Sequence, residues 1–173
     1  MRKDLEQCGK ALYDRGFPWG TVTNGYLLNP SRLKALLDSG MRSMTISLDG
    51  LEKSHTQLRG NNKSYNKALE AIQLLSSVEN FTYDIVTCVS DLNFEELEQL
   101  KNLLIEKGVK EWRISTIFPV GRAMQYNELQ LSPTKFKALL EFIASTRKEN
   151  RIKLNYACEG FLGSIGKVGG LLF

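Results

Sequence analysis

Read with period two, the stretch Met41–Gly50 (MRSMTISLDG) places Met44, Ile46 and Leu48 on one face and Ser43, Thr45, Ser47 and Asp49 on the other. The split is unusual for its setting. One helical pattern stops at Gly40 and another begins near Ser64. A strand between two helices ordinarily belongs to a parallel sheet, with both faces covered and apolar. A polar covered face points to a strand whose apolar side meets helices while its hydroxyl and carboxylate side lines a lumen that holds a ligand. A half-exposed edge strand is the alternative.

The same patterning runs through the rest of the chain. Residues 1–15 predict a helix with Leu5, Cys8 and Leu12 on one stripe, ended by Gly16 and Pro18. Trp19–Asn24 predicts a short strand, with Thr21 and Thr23 on one face and Val22 on the other, running into a turn-prone Thr23-Asn24-Gly25. Asn29-Pro30 starts a helix with a side-chain cap and a proline at its first position, and Gly40 closes it. A polar loop is expected over 51–63, then a helix capped by Ser64 that carries Leu69, Ile72 and Leu75. Phe81–Ser90 follows as a strand. Asn93 with Glu96 has the spacing of a capping box, before Leu97, Leu100 and Leu104 at helical spacing. Trp112–Phe118 is a strand, Pro119–Leu131 a second long loop, Ser132-Pro133 the start of a helix with Phe136, Leu139, Leu140 and Ile143, and Ile152–Ala157 a last strand. Alternating strands and helices signify a parallel α/β sheet with right-handed crossovers. The long links at 51–63 and 118–131 leave the C-terminal ends of strands, where such folds place their chemistry.

Composition narrows the class. A chain of 173 residues with 42% hydrophobic and 24% charged residues is an ordinary globular one, long enough for one substantial core. The net charge of +4, evenly scattered, gives no footprint for nucleic acid. No apolar run approaches the ~20 residues of a membrane span, and no signal-peptide series is present. Cys8, Cys88 and Cys158 lie far apart in sequence and form no local metal-binding pair. They suggest a reducing compartment, and the expected location is cytoplasmic.

The candidate chemistry is open on the residues alone. There is no phosphate-binding glycine loop and no dinucleotide fingerprint. His55, the only histidine, is either a hydrogen-bonding residue or a catalyst. Asp49-Gly50 reads as a turn, and Cys88 as a small core residue. Arg59-Gly60 and Gly121-Arg122 either clamp a planar anion or are solvated loop residues. These signals support a small polar ligand and nothing sharper.

Taken in order, a more specific pattern emerges. TNGxLL at 23–28, ISLDG at 46–50, His55, Arg59-Gly60, Ser64-Tyr65, a strand leading to Asn93, and FPVGRA at 118–123 together resemble the radical SAM core. More narrowly, they resemble the branch that carries a SPASM extension and includes peptide-modifying enzymes. The resemblance covers 1–157, leaving 158–173 as the expected start of a C-terminal extension. It implies an α/β fold, a partial (β/α) barrel of parallel strands, incomplete at its N-terminal end. The lumen would hold S-adenosylmethionine beside a [4Fe–4S] cluster. In that family the cluster reduces the sulfonium and the resulting radical abstracts hydrogen from substrate. Carried over by motif, Thr23 and Asn24 sit beside the cofactor, Ser47 contacts its methionine or ribose portion, and Asp49 stabilises the same strand end. Val120 and Gly121 pass near the adenine, and Arg59 is assigned to anion contact.

The chain departs from the family pattern at its start. The family binds its main cluster through CxxxCxxC and follows it with a GGEP-type motif, and neither occurs here. Cys158 stands near the place of a first auxiliary-cluster cysteine, and equally reads as a plain cysteine after a strand. The expectation is therefore an internal piece of a longer radical SAM enzyme, inactive alone, with a small-molecule cofactor and a peptide as candidate substrate, and with neither nucleic acid nor membrane as partner. The rival expectation is a stand-alone ligand-binding or regulatory α/β domain without redox chemistry. A lyase or aldolase fragment is disfavoured, because no lysine sits at a polar strand end.

Overall fold

The computed structural model describes residues 3–118 and 120–157, apart from the side chains of Arg122 and Glu128. Cys158 and the 158–173 segment lie outside the described residues. Five parallel strands, β1 (Trp19–Thr23), β2 (Met41–Ser47), β3 (Thr82–Val89), β4 (Glu111–Thr116) and β5 (Lys153–Tyr156), form one sheet in the order β1-β2-β3-β4-β5. Among the described residues six α-helices accompany them: α1 (Leu5–Tyr13), α2 (Pro30–Asp38), α3 (Glu52–Arg59), α4 (Ser64–Ser76), α5 (Leu97–Glu106) and α6 (Pro133–Glu149). None of the described helices is long and apolar enough to cross a membrane.

Strand order decides where the site can be. With strands laid down in sequence order and every crossover of one hand, the helices gather on one side of the sheet. A doubly wound sheet, which reverses its order, would cover both sides. The strand register bears this out. Met44, Ile46 and Leu48 are buried in one core with Ile85, Val89, Trp112, Ile114, Leu36, Ile72 and Leu104. On this side the Trp112 indole donates to Thr87 Oγ1 (2.9 Å), and that hydroxyl donates to the Leu48 carbonyl (2.7 Å). Three neighbouring strands are thereby tied near their ends.

The opposite face is polar. Parallel partners point the same way, so the pairing of Ser43 with Thr82, Thr45 with Asp84, Ser47 with Val86, Val86 with Arg113, Cys88 with Ser115 and Arg113 with Asn155 assembles one hydrophilic wall. Asp84 accepts from Thr45 Oγ1 (2.5 Å) and from Arg113 Nη2 (2.6 Å), and the same Nη2 lies 3.2 Å from Thr45 Oγ1. The period-two reading of Met41–Gly50 is the arrangement found. Cys88 corrects the reading of it as a core residue: it is half-buried on the polar wall, with its sulfur 3.4 Å from Ser115 Oγ.

Three local expectations change. The α1 stripe is rotated, since Cys8 and Leu12 are exposed and Gly9 is the buried contact. A Cβ on Gly9 would overlap the Trp19 ring, so the large aromatic takes the space that the helix leaves. Leu5, of the same stripe, packs against the core. Residues 52–59 form a helix rather than a loop, and its buried side is polar, Ser54 and His55, which an apolar-stripe criterion does not register. Ser64 does not cap α4 by accepting a backbone N–H; its hydroxyl donates to the Asn61 carbonyl (2.7 Å). Asn29 and Ser132, in contrast, do cap α2 and α6, accepting from Arg32 N (2.8 Å) and Lys135 N (3.2 Å).

Two outcomes follow from the α1–β1 region. Replacing Gly9 by Ala should destabilise the chain by about 1–3 kcal/mol in urea unfolding, as overpacking of a core contact does. Among the described residues β1 pairs with β2 alone, and Val22 on it is 68% exposed. An unprotected edge templates further pairing. The chain should therefore self-associate with rising concentration in sedimentation velocity, and Val22→Lys should shift it towards monomer.

Candidate functional site

The C-terminal end of β1 meets a cleft of about 390 Å³ lined by Thr23, Asn24, Tyr26, Leu27, Arg59, Asn61 and Ser64. One wall is the turn that leaves β1. Thr23 Oγ1 accepts from Gly25 N (3.2 Å) and Asn24 Oδ1 from Tyr26 N (3.1 Å), two short side-chain turns in succession. Gly25 lies at φ 73°, and a Cβ there would come within 2.8 Å of Ala71 Cβ, so the turn rests directly on α4. The other wall is the corner between α3 and α4. Gly60 ends α3 in the left-handed region, and Asn61 Oδ1 accepts from Lys63 N (2.9 Å).

Behind the cleft, Asp49 is 1% exposed and has every polar group engaged. Its carboxylate Oδ1 accepts from Cys88 N (2.9 Å) at the end of β3. Oδ2 accepts from Arg59 Nε (2.8 Å) and also from Arg59 Nη2. Its backbone N–H donates to His55 Nδ1 (3.0 Å), and its carbonyl accepts from Asn93 Nδ2 (2.8 Å). Asn93 is buried as well, donating also to the Cys88 carbonyl (2.9 Å) and accepting from Ser90 N (2.8 Å). The guanidinium that binds Asp49 on one side faces the cleft on the other, with the Arg59 side chain 33% exposed.

Of the residues singled out from sequence, the structure brings Thr23, Asn24 and Arg59 together in the cleft, with Asp49 directly behind Arg59. Thr23 pairs in register with Ile46, so its side chain starts on the helix side of the sheet and closes the turn. Ser47 stands on the polar wall, half-buried, outside the cleft lining. Val120 and Gly121 follow β4, two strands away from β2, with Val120 exposed and Gly121 at φ 62°. Asn61 and Tyr26 were missed; their only signal was position beside Arg59-Gly60 and Asn24-Gly25. Glu96 was read as part of a capping box. It instead accepts from Leu51 N (2.8 Å) and from the Ser54 hydroxyl, so the Asn93–Glu96 pair clasps the end of β2 rather than capping α5.

His55 is 1% exposed. Because Nδ1 accepts a backbone N–H, the neutral ring carries its proton on Nε2, and Nε2 has no partner among the described residues. Burial lowers its pKa from the usual 6.5, Asp49 opposes that shift, and Arg59 adds to it. The native state therefore holds the neutral ring while the unfolded chain takes up a proton. Stability should be flat with pH above about 7.5 and fall as pH drops below 6.5, with a slope of up to about 1.4 kcal/mol per pH unit. As the only histidine is involved, His55→Gln should flatten that dependence in urea unfolding at pH 7.5, 6.5 and 5.5.

Comparison with known proteins gives these features a family. The model of the radical SAM superfamily matches residues 1–104. An AdoMet-dependent heme synthase of Methanosarcina barkeri is 28% identical over 158 residues, 91% of this chain and 44% of that protein. The sporulation killing factor maturation protein SkfB of Bacillus subtilis is 25% identical over 103 residues, 60% of this chain and 25% of its own length. Streptococcus suis SuiB bound to S-adenosylmethionine shares the fold at a TM-score of 0.69 and 15% identity, over 89% of this chain and 34% of SuiB. The chain thus spans less than half the length of these relatives. With more than half of its residues matched by the family model, this chain belongs to the radical SAM superfamily.

Proposed function

We propose that the chain is the core of a radical SAM enzyme that binds S-adenosylmethionine across the C-terminal ends of β1 and β2. The observation that carries the reading is the cleft itself: five of its seven lining residues are polar, Thr23 and Asn24 at the end of β1 and Arg59, Asn61 and Ser64 at the corner between α3 and α4, in a chain of this superfamily. A cleft of about 390 Å³ lies within the usual size of small-molecule sites. The chemistry of the donor set fits the ligand. Arg59, already oriented by Asp49, would hold the carboxylate of the methionine portion, and Asn24 Nδ2 would donate to it or to the ribose. Ser47, whose hydroxyl has no hydrogen bond among the described residues, would contact the same portion from the polar wall. Val120 and Gly121 would flank the adenine. When bound, S-adenosylmethionine supplies one-electron hydrogen-abstraction chemistry. The protein's part is to orient it and to exclude water from the polar wall.

A [4Fe–4S] cluster, which this family uses, does not fit the described residues. Among them no three histidines, cysteines or carboxylates converge, Cys8 is exposed on α1, and Cys88 faces Ser115. Family membership favours this reading over a stand-alone regulatory domain. For the substrate, SkfB, a maturation protein by name, supports a peptide. The heme synthase, which matches more of the chain, supports a heme precursor as the second reading.

The test is equilibrium binding of S-adenosylmethionine by calorimetry. The wild-type protein should bind it, and Asn24→Ala and Ser47→Ala should each weaken binding about fivefold to thirtyfold, the loss of one hydrogen bond, with little change in thermal midpoint. Absence of binding, or affinity untouched by both changes, would overturn the reading.

A further inference from the structure

The helix α3 begins without a cap of its own. Its N-cap is Leu51, which has no side-chain acceptor, and the third helical residue, Ser54, is too short to reach back to the Leu51 N–H as a capping-box glutamate does. Glu96, forty-five positions away on the turn after β3, supplies the missing group. Its Oε2 accepts from Leu51 N at 2.8 Å and from the Ser54 hydroxyl, and Ser54 Oγ lies 3.3 Å from the Leu51 carbonyl. A carboxylate at this end also complements the positive end of the helix. The preceding residue makes room for it. Gly50 lies at φ 127°, and a Cβ there would collide with Ser54 Oγ and come within 2.8 Å of Glu96 Oε2 and 3.2 Å of Asn93 Cβ.

The far end of the same short helix carries Arg59. At 1.5 Å per residue, eight residues put it about 12 Å from the clasp, and a rigid helix transmits a tilt at one end to the other. Asp49 holds the guanidinium itself, and Glu96 fixes the helix from which it reaches. We propose that Glu96 is a positioning residue for the cleft: by capping α3 from another element, it sets how Arg59 is presented to the carboxylate of a bound ligand. The proposal rests on the S-adenosylmethionine reading of the cleft and deepens it. Glu96 touches no ligand and acts through Arg59.

The test combines two readouts on wild type, Glu96→Ala, Glu96→Gln, Arg59→Ala and the double variant Glu96→Ala with Arg59→Ala. The first is amide hydrogen exchange across 51–60, which needs no ligand. The second is S-adenosylmethionine affinity by calorimetry, well below each variant's thermal midpoint. Glu96→Ala should speed exchange in α3 and weaken binding about tenfold, since small misplacement of a positioning group has large effects. Glu96→Gln keeps an acceptor oxygen and should stay within about threefold of wild type. In the Arg59→Ala background, Glu96→Ala should cost no further affinity, the signature of two residues acting through one contact. Unchanged exchange in Glu96→Ala would overturn the clasp. Faster exchange with unchanged affinity, or with a loss that adds fully to that of Arg59→Ala, would reduce Glu96 to a structural role and overturn the proposal. Failure of the wild-type protein to bind S-adenosylmethionine would overturn the cofactor reading and with it the role served, while the exchange result would still decide whether Glu96 sets α3.

Discussion

One buried residue holds the strand ends in place. Asp49 is a charged side chain at 1% exposure, a condition that costs several kcal/mol unless every lone pair is engaged. Here each group is met by a different part of the chain: the backbone of β3 through Cys88, the helix α3 through Arg59 and His55, and the turn after β3 through Asn93. Loss of any one partner leaves a buried donor or acceptor unsatisfied, so the four contacts stand or fall together. The consequence reaches the cleft directly, because the Arg59 guanidinium that satisfies the carboxylate is also a wall of it. The residues that follow β2 thus join the packed core to the cleft. Mobility there would move Arg59, Asn61 and the start of α4 at once.

The sheet gives that knot its surroundings. Sequential strand order puts the helices on one side, so the opposite side is free to be polar in a way that a doubly wound sheet does not allow. Hydroxyls and charges at Ser43, Thr45, Ser47, Asp84, Arg113 and Ser115 then share one wall without disturbing the apolar core behind them. Two rows of side chains two residues apart on the same strand perform opposite tasks. Ile46 and Leu48 fix the strand against helices, and Ser47 and Asp49 face the wall and the clasp.

Much of this was legible in the chain because it is written in period two and in punctuation. The alternation of Met41–Gly50 gives the two faces, Asn29-Pro30 and Ser132-Pro133 give the starts of α2 and α6, and Gly40, at positive φ, gives the end of α2. What escaped was tertiary in origin. The helix α3 buries Ser54 and His55, and polar burial has no signature in an apolar-stripe criterion because it depends on partners far along the chain. Asn93 and Glu96 carry the spacing of a local cap, yet their hydrogen bonds go forty-odd residues back, to Asp49 and Leu51. Local pattern and distant demand competed for the same side chains, and the buried strand end prevailed, since an unsatisfied buried backbone group costs more than an uncapped surface helix. The Gly9–Trp19 contact belongs to the same class: only the packed structure shows that a helix position must be empty for a ring to fit.

The charges of the polar wall come in opposite pairs. Asp84 meets Arg113, Glu111 meets Lys153, and Asp49 meets Arg59. An unpaired charge on a half-enclosed wall would be costly and would relax by shifting its pKa or turning outwards. Paired charges stay put, at the expense of net attraction for any ion at a distance. Such a wall recruits ligands weakly by long-range steering and discriminates among them by the fixed directions of its donors and acceptors. That division suits a ligand that itself carries both signs, because its ammonium and carboxylate can each find an oriented partner without displacing a wall residue from its own. Arg59 is the clearest case: Asp49 uses its Nε and Nη2, and the remaining donors, without a partner among the described residues, are the ones left for the cleft.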